Sequence, residues 1–323
     1  MQNFDDIRTL LKEDLEQTDA LLQSRLSSNV ALINQMSAYI IGAGGKRLRP
    51  LLLLLCARAT NYQGEHHRLM AVVIELIHTA TLLHDDIVDE SATRRGKDTA
   101  NEVWGNAASV LVGDFLYSRS FEMMVEPGSM EIMQILSKAT NEIAQGEVLQ
   151  LLNCQNSDLT QEEYYQVIER KTAVLFQAAT QIGGILSKVD EKQELALKSY
   201  GLHLGNAFQI IDDVLDYESD FEAMGKEVGD DLSEGKTTLP MIYAIANTSG
   251  EEKQLLENAI NNADNSKITE VVKILQSVDA FGYTREQAKK SAELAKASLA
   301  DIQSSPYKDA LILLCDLSLA RKS

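Results

Sequence analysis

Residues 82–96 read LLHDDIVDESATRRG, an apolar helical pattern that carries three aspartates, Asp85, Asp86 and Asp89, and then two arginines, Arg94 and Arg95. An apolar run normally buries itself, and an unpaired buried carboxylate is costly. Four residues make a little over one helical turn, so Asp85 and Asp89 share a face while Asp86 lies about 100° around it. The pattern returns at 210–217, IIDDVLDY, where Asp212, Asp213 and Asp216 repeat the spacing. Acidic proteins do place acidic clusters on solvated faces, but chance supplies only about 0.1 matches to Asp-Asp-x-x-Asp in such a chain. Two matches, each inside an apolar helix, call for a function.

Around these motifs the periodicity is helical almost everywhere. Helices are predicted over 3–25, 29–41, 50–60, 67–89, 106–125, 129–151, 160–187, 191–219, 240–247, 251–262, 266–279, 283–302 and 306–321. TQEE at 160–163 fits a capping box, and Pro50 fits a first helical position. The stretches 67–89, 106–125 and 160–187 are apolar nearly all round, which places them in the middle of a large bundle. Two irregular stretches interrupt the helices, GAGGKRLRP at 42–50 and ESDFEAMGKEVGDDLSEGKTTL at 218–239. No low-complexity linker or repeat divides the chain, so a single all-α domain is expected over 1–323.

Composition agrees. With 45% hydrophobic residues, the 323-residue chain has ample material for a core. Only 4 prolines and 6% aromatics favour helix over sheet. A net charge of −18 argues against nucleic acid and anionic membrane surfaces as main partners. Cys56, Cys154 and Cys315 are widely spaced and suit free thiols in a reducing cytosol. The acidic, amphipathic N-terminus lacks a signal-peptide pattern, and the longest apolar run, PLLLLLCA at 50–57, is too short to span a bilayer. A cytoplasmic protein is expected.

Carboxylate clusters without Cys or His ligands suit a hard cation such as Mg2+, held by one or two carboxylates with phosphate oxygens and water completing its shell. Basic residues flank both clusters: Lys46, Arg47 and Arg49 in the glycine loop, Arg94 and Arg95, and Lys226 and Lys236. Such groups in an acidic chain describe a diphosphate site. Two rival metal readings compete. Glu75 and His78 form the Glu-x-x-His pair of di-iron bundles, but no second such pair accompanies it. His84 and Asp85 match the dyad of metal phosphohydrolases, which leaves the second aspartate cluster unexplained.

GGKRLRP, HTATLLHDDIVDESATRRG, KTAVLF and FQIIDDVLDY with GKEVGDDLSEGKTTLP resemble the trans-polyprenyl diphosphate synthases. The motifs span residues 42–240, and the likeness is greatest to the long-chain, octaprenyl-type bacterial members. The resemblance implies an all-helical bundle around a deep central cavity, as a homodimer. It implies a Mg2+-assisted reaction in which isopentenyl diphosphate extends an allylic diphosphate, farnesyl diphosphate here, to octaprenyl diphosphate for a quinone side chain. The metal-holding residues would come from Asp85, Asp86, Asp89, Asp212, Asp213 and Asp216. Lys46, Arg49, His78 and Arg95 would bind isopentenyl diphosphate. Arg94, Lys171, Thr172, Gln209, Lys226 and Lys236 would contact the allylic diphosphate, with Lys171 and Lys236 close to the chemistry. Short-chain members carry an aromatic residue just before the first motif. This chain has Ala80 and Thr81 there, which predicts an open tunnel with a deeper floor at Met123 and Met124. Product release would involve transient membrane contact. The alternatives are another chain length (heptaprenyl, nonaprenyl or geranylgeranyl), a non-catalytic subunit of a heteromeric synthase, or a terpene cyclase.

Overall fold

The computed structural model describes all residues except 43, 95, 219–228 and 322–323, and 79% of it is helical. In chain order the helices begin with α1 (Phe4–Leu10), α2 (Lys12–Arg25), α3 (Ala31–Gly42), α4 (Leu48–Ala59) and α5 (His66–Val88). A two-stranded hairpin follows, β1 (Thr93–Arg94) antiparallel to β2 (Lys97–Asp98), then α6 (Ala100–Trp104), α7 (Asn106–Met124), α8 (Met130–Asn153) and α9 (Gln161–Ile168). A π-helical turn over Glu169–Ala173 joins α9 to α10 (Val174–Leu186), which precedes α11 (Glu191–Glu218). The remainder comprises α12 (Asp230–Ser233), α13 (Leu239–Asn247), α14 (Gly250–Asn261), α15 (Ile268–Ser277), α16 (Ala280–Ser298) and α17 (Pro306–Leu319).

Most boundaries fall within a few residues of those the sequence predicts. Three differ for identifiable reasons. The helix expected over 3–25 is broken at Leu11, whose ψ of 15° interrupts the helical path. α4 starts at Leu48, not Pro50. Pro50 is thus the third helical residue, tolerated because first-turn N–H groups have no intrahelical acceptor anyway. The helix expected over 160–187 contains the π turn, where Val174 N–H reaches the Glu169 carbonyl five residues back. The predicted capping box is present, with Thr160 and Glu163 each satisfying the other's backbone N–H.

The chain divides into two compact units. The first comprises Met1–Thr140, Leu175–Gly201 and Ser298–Leu314. Its centre is α5, packed against α2, α4 and α7. Every residue from Leu51 to Ala57 is at most 1% exposed, and α5 is buried through Met70–Ile74 and again at Leu76, Ile77 and Ala80. α7 departs from its expected all-round burial. Val110, Leu111 and Phe121 are 40%, 68% and 38% exposed. Asp14 of α2 fastens this unit from one side. Its buried carboxylate accepts from Arg58 of α4 at 2.6 and 2.7 Å and from His67 and Arg68 of α5 at 2.9 Å.

The second unit comprises the described residues of Asn141–Val174, Leu202–Ala297 and Cys315–Ser323. One core cluster, including Val214, Tyr217, Leu256 and Val271, gathers residues from α11 through α16. Another joins Tyr164 and Ile168 of α9 to Ile210, Ile211 and Leu215 of α11. This second cluster fixes the face of α11 that carries the second aspartate motif.

Candidate functional site

In the first unit, the last turns of α5 carry the first motif. Asp85 and Asp89 are half-buried, whereas Asp86 is 4% exposed. The 100° offset thus sends the middle carboxylate inward, where Arg94 of β1 meets it. Arg94 Nε and Nη2 lie 2.7 and 2.6 Å from Asp86 Oδ1. Burial works against the guanidinium charge, but Asp86 first, then Asp85 and Asp89, outweigh it and hold Arg94 more basic than usual. Gly96, at φ +71°, takes the left-handed conformation in the hairpin turn that brings Arg94 round.

The glycine loop lies close by in the same unit. Gly44 and Gly45 have positive φ, and Arg47 is left-handed at φ 44° before α4 begins. Arg47 pairs with Asp19 and approaches Glu75 at 3.9 Å. In the first turn of α4, Arg49 Nη1 lies 3.0 Å from His78 Nε2, and its guanidinium stacks 4.6 Å from the Phe176 ring. Arg47, His78, Asp86, Arg94 and Lys97 line one cavity, together with Thr79, Leu82 and Leu83. Its lining carries both charges, Glu75, Asp86 and Asp98 as well as Arg47, Arg94 and Lys97, with an apolar side against α5. Lys46 is exposed beside it in sequence.

His84 makes its contacts on α7. Its Nε2 is 3.3 Å from the Val110 carbonyl and 3.5 Å from Asp114. A Cβ on Gly113 would fall 2.4 Å from that nitrogen, so glycine is what admits the ring. These contacts leave the His84–Asp85 dyad reading without support. The chain-length candidates are also in this unit. Ala80 is fully buried, the Thr81 hydroxyl donates to the His78 carbonyl at 2.8 Å, and Met123 and Met124 are each 1% exposed.

The second unit carries the second motif on α11. Asp213, the middle member, is 2% exposed and receives two donors: Tyr164 Oη at 2.5 Å and Gln209 Nε2 at 2.9 Å. Burial raises the Asp213 pKa well above the carboxylate range, and Asp231 and Asp212 add to the rise while the two donors oppose it. Gln209 Oε1 in turn accepts from the Thr172 hydroxyl at 2.9 Å. Lys171, beside Thr172 in the π turn, reaches Glu147 at 2.7 Å. Asp212 points outward, with its side chain 47% exposed, and meets Arg321 at 2.9 Å. Asp216 accepts from the Asp231 N–H at 3.2 Å, and Lys236 pairs with Glu234. Arg95 and Lys226 lie outside the described residues.

Both motifs therefore share one design. The middle aspartate is buried and held by the protein, while the outer ones are more exposed. Among the described residues, no three carboxylate, thiol or imidazole side chains converge as a metal cage. That gives the di-iron reading no support among them. It fits a hard divalent cation that takes one or two carboxylates and completes its shell from phosphate.

Two partners here carry no signal in the sequence, and a third shows only its charge. Arg321 is a single arginine near the end of the chain, yet it lies against Asp212 and stacks 4.2 Å from Phe208. Tyr164 is one of two adjacent tyrosines, and only the fold distinguishes them. Arg47 was visible as a basic residue, but its pairing with Asp19 crosses from the loop to α2.

Comparison with known proteins gives concordant results. A model of the polyprenyl synthetase family matches residues 30–278. The octaprenyl diphosphate synthase of Escherichia coli is 46% identical over 322 residues, covering 99% of each chain. An all-trans-nonaprenyl-diphosphate synthase (geranyl-diphosphate specific) of Rhodobacter capsulatus is 43% identical over 317 residues, covering 98% of this chain and 97% of that one. A solved polyprenyl synthase from Caulobacter crescentus, complexed with calcium and isoprenyl diphosphate, superposes with a TM-score of 0.96 at 41% identity. That match covers 100% of this chain and 99% of the other.

Proposed function

This chain belongs to the polyprenyl synthetase family and is a long-chain trans-prenyltransferase, and from that premise we propose that it makes octaprenyl diphosphate. The starter is farnesyl diphosphate, extended with isopentenyl diphosphate, and the product serves as a quinone side chain. The observation that carries this reading is the shared construction of the two aspartate motifs. Each buries and satisfies its middle carboxylate and leaves the first more exposed. Identity of 46% to an octaprenyl synthase over the whole length supports the chain length, and the nonaprenyl relative at 43% makes that length the point most in need of test.

Asp85 and Asp89 in the first motif, and Asp212 and Asp216 in the second, are the carboxylates that would hold Mg2+ for the allylic diphosphate. When bound, the metal neutralises charge on the diphosphate as the carbon–oxygen bond ionises. Asp86 and Asp213, the middle members of the same motifs, would support their neighbours. By the family resemblance, Arg94, Lys171, Thr172, Gln209, Lys226 and Lys236 are assigned to the allylic diphosphate, and Lys46, Arg49, His78 and Arg95 to isopentenyl diphosphate. The allylic cation is attacked by the isopentenyl double bond, and the proton then lost passes to the departing diphosphate. No Ser, Cys or His nucleophile is required. The apolar side of the cavity, at Leu82 and Leu83, suits a hydrocarbon.

The reading extends to a single catalytic domain acting as a cytoplasmic homodimer with transient membrane contact at product release. The exposed apolar residues of α7 support association, and three cysteines that form no disulfide suit a reducing compartment. No helix among the described residues is long and apolar enough to cross a membrane. Incubation with farnesyl diphosphate, labelled isopentenyl diphosphate and Mg2+, followed by chromatography, tests the activity. A product of about eight isoprene units is expected; no chain extension would overturn the reading. Sedimentation at micromolar concentration tests the dimer, and a monomer would refute it.

A further inference from the structure

Tyr164 has no role in any of the assignments above, yet with Gln209 it supplies a hydrogen-bond donor to each oxygen of Asp213. Its hydroxyl donates to Oδ2 at 2.5 Å while Gln209 donates to Oδ1 at 2.9 Å. Tyr164 is 4% exposed and its ring packs in the cluster with Leu159, Ile168, Ile211 and Leu215. We propose that Tyr164 is a positioning residue, anchoring Asp213 so that the adjacent Asp212 is held in its ligating orientation. This rests on the functional reading given above.

The chain of contacts explains why a tyrosine is needed. α9 supplies Tyr164, α11 supplies Gln209 and Asp213, and the π turn supplies Thr172, whose hydroxyl reaches Gln209 at 2.9 Å. The network therefore ties the turn bearing Lys171 and Thr172 to the turn bearing Asp212 and Asp213. All of its members lie in one compact unit. A buried carboxylate that loses one of two donors must turn toward another or toward water. Either movement pulls on the helical turn it shares with Asp212. Buried networks of this kind fix geometry when every member is satisfied, and loosen when one is not.

Tyr164→Phe keeps the ring and removes only the donor. Titration calorimetry of Mg2+ with inorganic diphosphate is expected to show binding weakened about tenfold, the scale of one hydrogen bond to a charged group. The KM for the allylic diphosphate should rise in step, with that for isopentenyl diphosphate changed less than about twofold. Asp213→Asn should weaken diphosphate binding similarly, and the double variant should be no worse than Asp213→Asn alone. Asp213→Asn also serves if Tyr164→Phe does not fold. Unchanged Mg2+–diphosphate binding in Tyr164→Phe, with or without a lower melting temperature, would overturn the proposal, as would additive losses in the double variant. Asp212→Ala is run alongside. If it is inactive while Tyr164→Phe behaves as wild type, only the role of Tyr164 falls; if Asp212→Ala stays active, the functional reading falls with it.

Discussion

Arg94 reaches back over eight residues to grip Asp86 Oδ1 with two nitrogens, at 2.6 and 2.7 Å, while Asp85 on the neighbouring position is left half-buried. The first prediction follows from that division. Asp85→Ala should nearly abolish turnover and leave helicity and melting temperature close to wild type, because like-charged neighbours repel in the absence of metal. Asp212→Ala should abolish turnover as well, with a stability loss of its own because it releases Arg321. Asp86→Ala should instead lose folding stability, on the order of 2 kcal/mol, since it strands a largely covered guanidinium. Circular dichroism melts alongside turnover assays separate the two classes; equal stability losses in all three variants would contradict the division.

The two diphosphates should be separable by kinetics. Lys46→Ala is expected to raise the KM for isopentenyl diphosphate, and Lys236→Ala that for the allylic substrate, each by roughly thirtyfold for one lost charge-assisted contact. Steady-state measurements with each substrate varied in turn give the answer. Equal effects on both substrates from both variants would show the assignments to be wrong.

Product length should respond to Ala80. This residue is fully buried on α5, five positions before Asp85. Ala80→Phe is expected to shorten the product to about three or four isoprene units, because the added ring sits within about two helical turns of the metal site. A melting curve must accompany the chromatography, since a ring forced into a packed site strains the core. An active, folded variant that still makes the long product would refute the tunnel placement.

Asp14 makes an acid-side prediction. Burial disfavours its charge, but His67, Arg58 and Arg68 more than compensate and hold its pKa far below the usual carboxylate range. A depressed folded-state pKa stabilises above the unfolded value, about 4, and that contribution drains away as pH falls below it. Asp14→Asn should cost about 3 kcal/mol at neutral pH, the range for a broken buried pair. Its melting temperature should draw closer to wild type as pH falls from 5 towards 2. A gap that stays constant across that range would show that the charge of Asp14 is not what stabilises.

The all-α architecture was legible because the apolar period of α4, α5 and α11 is strong and proline is scarce. The motifs were legible because Asp-Asp-x-x-Asp is local. The inequality within each motif was not, since it depends on Arg94 returning through a hairpin and on Tyr164 arriving from a different helix. The hairpin itself is two residues per strand, too short to show alternation. Periodicity also placed α7 in the interior, because Val110, Leu111 and Phe121 are apolar; a sequence cannot say whether such a face meets its own core or remains exposed. Arg321 is not legible, because a single basic residue beyond every motif looks like any surface charge.

The π turn at Glu169–Ala173 leaves a mark on how mutations can be absorbed there. A wide turn holds one residue more than the surrounding helix needs, so it behaves as slack in an otherwise taut rod. Removing one residue from Glu169–Ala173 should let the turn relax to α-helix, with the hydrophobic phase of α9 relative to α10 largely kept. The same deletion in the middle of α10 would rotate everything beyond it by about 100°. The slack is also where Lys171 and Thr172 are displayed. A chain shortened there would keep its helices and lose the wide turn that sets the Thr172–Gln209 and Lys171–Glu147 contacts, so tolerance of deletion and loss of turnover should coincide at this one turn.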